Sequence, residues 1–176
     1  MLGLAHDRNI MVPYDPRWPL AYEAERQRLA EALGPLAVAI EHYGSTAVPG
    51  LSAKPILDIL LGVRELDGWQ QCHAPLIGLG YDYAAQAGVP GHHIFGRGRD
   101  LTERTHLVHV VEHGGVSWTS NLAFRDALRA DEALRQRYLA VKTAAIAQAP
   151  DSRLEYNRLK GGAIAAMKSL LASPQP

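Results

Sequence analysis

The chain has 176 residues, 47% of them hydrophobic, which is the length of one ordinary domain with enough apolar material for a core that needs no disulfide or metal. Its 18 Lys and Arg balance 18 Asp and Glu, so no overall field draws in duplex nucleic acid or an anionic membrane, and only a local basic pocket stays open to it. A single cysteine, Cys72, excludes an internal disulfide and a multi-thiolate zinc site and fits a reducing, cytoplasmic setting.

In chain order, the first residues carry Asp7, Arg8 and Asn9 where a signal peptide keeps its apolar segment, and no apolar run approaches a membrane span. Residues 1–11 and 173–176 read as flexible termini of one domain at 12–172. Trp18, Tyr22, Leu29 and Leu33 recur at helical spacing among charged residues, which predicts a helix over 19–33 that Gly34-Pro35 stops. The apolar run 36–40 continues through Glu41, His42 and Tyr43 into Gly44-Ser45 as a strand ending in a tight turn. Residues 55–63 are apolar on both faces except at Asp58, the pattern of a central strand. A helix over 66–79 ends at Gly80, and a strand begins at Tyr81-Asp82-Tyr83. The stretch 87–99, with Gly88, Pro90, Gly91, Gly96 and Gly98, reads as a hairpin or loop around a short strand at His93-Ile94-Phe95. Residues 105–111 form a strong strand carrying His106 and His109. From Ser117 onward the pattern is helical, with Leu134, Tyr138, Val141 and Ala145 in one stripe and Ile164, Met167 and Leu171 in another after a cap at Asp151-Ser152. The expected fold is α/β (α+β) with a mixed sheet of four or five strands, four to six helices and a helical C-terminal third.

The chemistry concentrates at His42-Tyr43-Gly44-Ser45-Thr46, followed by Asp58 in the next strand. A glycine and hydroxyls at such a turn offer N–H and O–H groups to phosphate. A carboxylate on the adjacent strand could hold a divalent metal against those phosphates. The plainer alternative is that Gly44 permits the turn and Asp58 pairs with backbone. A carboxylate inside an apolar strand is costly unless paired, which weighs toward a site. Lys54 precedes the strand, and Arg97, Arg99 and Arg104 cluster near the glycine loop, either neutralising a polyanion or bridging to Asp100 and Glu103. His42 is expected in the same crevice as Asp58, charged by that neighbour and serving as acid or base, or else bonded within the sheet. His106 and His109, three apart on a strand, point to opposite faces, so one of them faces the site. His92-His93 belongs to the exposed glycine loop. Arg125, Lys142, Tyr156 and Lys160 in the helical third line the far wall or form solvated helix faces. Aromatic residues are too scattered for a single-strand stacking platform.

The stretch from His42-Tyr43-Gly44-Ser45-Thr46 through Val48-Pro49-Gly50-Leu51 to Lys54-Pro55-Ile56-Leu57-Asp58 closely resembles the signature of the GrpB family. Tyr14-Asp15-Pro16 with Trp18-Pro19, Arg104-Thr105-His106 with His109-Val110-Val111, and Phe124-Arg125-Asp126 with Leu128-Arg129 resemble the same family, so the likeness runs from about Val12 to Leu171. The resemblance implies a nucleotidyltransferase-like fold and kinship with the extra domain of some bacterial dephospho-CoA kinases. It also implies a pair of acidic residues two positions apart on one face of the strand, sharing two metals. Here the second acidic position is Leu60, and the neighbouring strand offers His109 or His106 in place of a third carboxylate.

The expectation is a small phosphorylated ligand or nucleotide between Gly44-Ser45 and Asp58, contacted by Gly44, Ser45, Thr46, Lys54, Arg97 and Arg104. If the site is catalytic, the reaction is nucleotidyl transfer with Asp58, His42 and His109 as working residues. Asp58 and His109 would then hold a divalent ion, magnesium, manganese or zinc. The alternative is a noncatalytic ligand-sensing or protein-interaction module, with a coenzyme A pathway protein as partner. Leu60 favours that alternative.

Overall fold

The computed structural model describes residues 2–5, 8–85, 89–100 and 102–172. Residues 87 and 88 of the glycine loop and the tail 173–176 lie outside the described residues. In chain order the elements are β1 (Leu4–Ala5), α1 (Trp18–Leu33), β2 (Ala39–Tyr43), β3 (Leu57–Val63), α2 (His73–Gly78), β4 (Asp82–Tyr83), β5 (His93–Arg97), β6 (Glu103–Arg104), β7 (His106–Glu112), α3 (Val116–Ala130), α4 (Glu132–Gln148) and α5 (Arg153–Ala172). The main sheet has the order β2-β3-β7-β5-β4, and β1 pairs with β6 in a separate two-stranded ribbon. Only β3 and β7 run parallel in the main sheet; its other pairs are antiparallel. The fold is therefore the mixed α/β arrangement with a helical C-terminal third that the alternation of patterns predicts.

Strand alternation sorts the sheet into two faces. Ile59, Leu61 and Val63 of β3 and Val108 and Val110 of β7 meet Leu29 and Leu33 of α1 and Leu76 of α2 in the largest core. The opposite face carries Asp58 and Leu60 of β3 with His109 and Val111 of β7, and Trp118 of α3 covers Leu60 and Val111. Farther along α3, Phe124 and Leu128 pack with Tyr138 of α4, Met167 of α5 and the loop residues Val48 and Leu51. The C-terminal helices thus stand over the end of the sheet from which Asp58 projects.

Three local expectations change. The stretch 66–79 is not one α-helix: Leu66–Cys72 is 3-10 and α2 restarts at His73. Pro75 explains this, because a continuous α-helix would press its ring against the carbonyl of Gln71, whereas the first turn of α2 tolerates it. Gly34–Leu36 forms a 3-10 turn, so the first sheet strand begins at Ala39. The described part of 1–11 does not hang free. Leu4 pairs with Arg104, and buried Asn9 donates its amide to the Ala149 carbonyl at 2.7 Å.

Candidate functional site

The β2–β3 register sets Tyr43 directly opposite Asp58, so the turn that follows Tyr43 folds against the carboxylate. Gly44 there has φ 71° and ψ −170°, a conformation essentially confined to glycine. A Cβ on Gly44 would stand 2.5 Å from Asp58 Oδ2. Turn and carboxylate are therefore in contact. Asp58 keeps 31% of its side-chain surface exposed, and it opens into a cleft of ≈ 1220 Å³ bounded by Tyr43, Ile94, Leu107, His109, Phe124 and the first half of α5.

A smaller recess of ≈ 110 Å³ adjoins this cleft, with Ser45, Asp58, Leu107 and Lys160 lining both. Its wall gathers Lys54 from the loop before β3, Lys142 from α4 and Lys160 from α5. Lys142, 2% exposed, donates to Ser45 Oγ at 3.0 Å and to the Ser52 carbonyl at 2.9 Å. Tyr138 hydroxyl lies 3.1 Å from the same Ser45 Oγ. Lys54 donates to Asn9 Oδ1 and sits 3.6 Å from the centre of the buried Tyr156 ring, with Lys160 4.6 Å from that ring.

Burial weakens the hold of this cluster on its protons. Desolvation pulls Lys54 down to about 6, helped by Lys160 and Arg153, and Lys142 down to about 7, helped by Lys160. Lys160 is lowered by burial as well. Asp58 is pushed up to about 6 by burial, against the pull of Lys160, Lys54 and Lys142. His109 Nε2 lies 3.9 Å from Asp58 Oδ1. That contact is not an ion pair, because burial holds His109 near 3 and leaves the ring neutral. His109 instead meets His92 Nδ1 through its Nδ1 at 3.1 Å and the Tyr43 ring edge-on.

The structure brings together Gly44, Ser45, Lys54, Asp58 and His109, with Arg104 on the cleft wall, where Asp82 holds it at 2.7 Å. Thr46 lines the recess, but its hydroxyl is engaged by His42 Nε2 at 3.0 Å. His42 itself does not join Asp58. It pairs opposite Ile59, one residue off the Tyr43–Asp58 pair, and so points to the α1 face, stacked on Tyr22. Nor is it charged by a carboxylate: burial and the nearby Arg129 and Arg125 lower it to about 3. Arg97 is on that same far face, bound to buried Glu25 and beside His106. His106 and His109 do face opposite sides, and His109 is the one at the site.

Leu60 is fully buried beneath Trp118, and no acidic side chain replaces it. Among the described residues no three His, Cys, Asp or Glu side chains converge on a metal position. Oδ1 of Asp58 and Nε2 of His109, 3.9 Å apart, would subtend roughly 135–155° at an ion bound at ~2.0–2.1 Å, wider than a tetrahedral site allows. The three lysines beside them, whenever protonated, oppose a further divalent charge. The residues present thus do not fit the expected metal on Asp58 and His109.

A family model described as GrpB protein matches residues 9–169. UPF0157 protein YqkA of Bacillus subtilis is 35% identical over 146 residues, which cover 83% of this chain but 42% of that protein. Glutamate-rich protein GrpB of Alkalihalophilus pseudofirmus is 31% identical over 163 residues, covering 91% of this chain and 94% of its own. A dephospho-CoA kinase of Mycolicibacterium paratuberculosis is 32% identical over 158 residues, a match spanning 39% of that enzyme. The crystal structure of conserved protein GrpB from Enterococcus faecalis superposes with TM-score 0.79 at 31% identity, covering 92% of this chain and 96% of that one. Cid1 poly(U) polymerase shares the fold at TM-score 0.51 and 14% identity, over 78% of this chain and 43% of the polymerase.

Proposed function

Because the chain belongs to the GrpB family, we propose that it binds a small phosphorylated ligand of the nucleotide class in the cleft beside Asp58, and that it works as a ligand-sensing module without two-metal nucleotidyl transfer. The observation that carries this reading is the contact between the Gly44-Ser45 turn and a partly exposed carboxylate, walled by lysines at the mouth of a cleft. Backbone and hydroxyl groups at a tight turn suit phosphate oxygens, and the apolar wall of Ile94, Leu107 and Phe124 suits a base or other flat group. The cleft, at ≈ 1220 Å³, exceeds the usual small-ligand range of roughly 300–1,000 Å³ and accommodates a ligand longer than a mononucleotide. Leu60, buried at the second acidic position, argues against a two-metal centre.

Relatives named dephospho-CoA kinase support a ligand or protein partner from coenzyme A metabolism. Calorimetric titration with ATP, UTP and dephospho-CoA, each with and without magnesium, tests the reading. Binding of at least one compound is expected, with affinity changed by Asp58→Asn. No heat for any of them in either condition rejects it, and turnover of a nucleoside triphosphate that Asp58→Asn abolishes would restore the transferase.

A further inference from the structure

The recess differs from the wide cleft in charge and in size. Its cations come from three distant segments, Lys54 before β3, Lys142 in α4, and Arg153 and Lys160 in α5, and Asp58 is the one carboxylate among the described residues that line it. Packing ammonium groups together out of water is unfavourable unless an anion offsets them, and their lowered proton affinities record that strain. Ser45 Oγ, fixed between Lys142 and the Tyr138 hydroxyl, stands in the same wall as a preset polar group. At ≈ 110 Å³ the space takes a phosphoryl group and excludes a nucleoside. Where a two-metal site would place cations over an anion, this chain places lysines.

We propose that the recess between Ser45, Lys54, Lys142 and Lys160 is a phosphoryl subsite that accepts a terminal phosphate without a divalent metal, the remainder of the ligand running out past Asp58 along the apolar wall of the cleft. The proposal rests on the reading that the cleft binds a phosphorylated ligand. Lysine ammonium groups suit it chemically, as compact point charges that meet phosphate oxygens without bidentate geometry. Lys142 is anchored by Ser45 and Ser52, so its amine is already aimed when the ligand arrives.

Titration of the full chain with inorganic phosphate, pyrophosphate and ADP in the presence of EDTA, and again with excess magnesium, tests it. All three are expected to bind in EDTA, ADP more tightly than phosphate because it also fills the cleft, with no more than a twofold change on adding magnesium. Lys160→Gln, on the partly buried face of α5, is expected to weaken each at least tenfold with an unchanged melting profile. Lys142→Met is expected to do the same wherever it remains folded by circular dichroism. Binding of ADP only with magnesium would overturn the metal-free subsite while leaving a phosphorylated ligand in the cleft. Binding in EDTA that Lys160→Gln leaves untouched would move the phosphate elsewhere. Failure of all three compounds under both conditions would remove the subsite and the ligand reading together.

Discussion

Gly44 shows at the scale of one residue how the site is made. Its positive φ turns the chain, and its missing side chain lets that turn rest on Asp58. Gly44→Ala is therefore expected to lose at least about 2 kcal/mol, from backbone strain and from a methyl forced onto the carboxylate. Urea denaturation checks this, and a loss under about 0.5 kcal/mol would mean that the turn has room to relax. Asp58 carries the opposite expectation. Its folded pKa, raised to about 6 from 3.8, means that the folded protein holds a proton there that the unfolded chain gives up. Stability from this group is full below pH 4 and is lost as the pH rises through 6. Asp58→Asn should accordingly stabilise the protein at pH 8 by on the order of 1 to 2 kcal/mol, screening included, and by little at pH 4. Equal effects at both pH values would show that the carboxylate titrates normally. Both residues were legible in the chain itself, Gly44 as a turn former and Asp58 as the one polar position in an apolar strand. His42 was not, because only the antiparallel register decides which of two neighbours shares a face with Asp58.

Among the elements, α1 and the C-terminal helices have different tasks. On α1, Glu25 is 4% exposed and accepts from the Tyr81 hydroxyl at 2.9 Å, from Arg28 at 2.7 Å and from Arg97. This buried network ties α1 to β5, and it accounts for Arg97, which sequence proximity to the glycine loop had assigned to the ligand. Glu25→Ala leaves the Arg97 charge without its carboxylate and is expected to cost about 3 to 5 kcal/mol, read from chemical denaturation. A loss below about 1 kcal/mol would mark the network as peripheral. Helices α4 and α5 instead supply the site. Tyr138, Lys142 and Ala145 are buried on one face of α4, and Tyr156, Lys160, Ile164 and Met167 fall at the same spacings on α5. A lysine four residues after a buried tyrosine, inside an apolar stripe, was the readable signal that these charges turn inward. Composition hid it, because a lysine on a helix is usually solvated.

The whole molecule explains how a chain with balanced charge builds a basic recess. The loop before β3, the turn after β2 and the last two helices meet only when the sheet is complete, so no local window of sequence displays the cluster. The Asp58 strand lies inside the sheet between β2 and β7, and Leu60 and the lysines decide what surrounds it. Lys54 and Lys142 titrate at about 6 and about 7 because burial and Lys160 disfavour their charged forms, opposed by Asp58. Their depressed values stabilise the free protein at alkaline pH, and that contribution is lost as the pH falls through 7 and 6. An anion in the recess reverses the preference and recharges both ammonium groups. Phosphate binding at pH 8 is therefore expected to take up protons, giving heats that vary with the ionisation enthalpy of the buffer. At pH 5 both lysines are already protonated and the uptake should vanish, while affinity should fall as the pH rises from 6 to 9. Identical heats in Tris and HEPES at pH 8 would show that the lysines are charged before the ligand arrives. The electrostatic drive would then come from groups already carrying their protons.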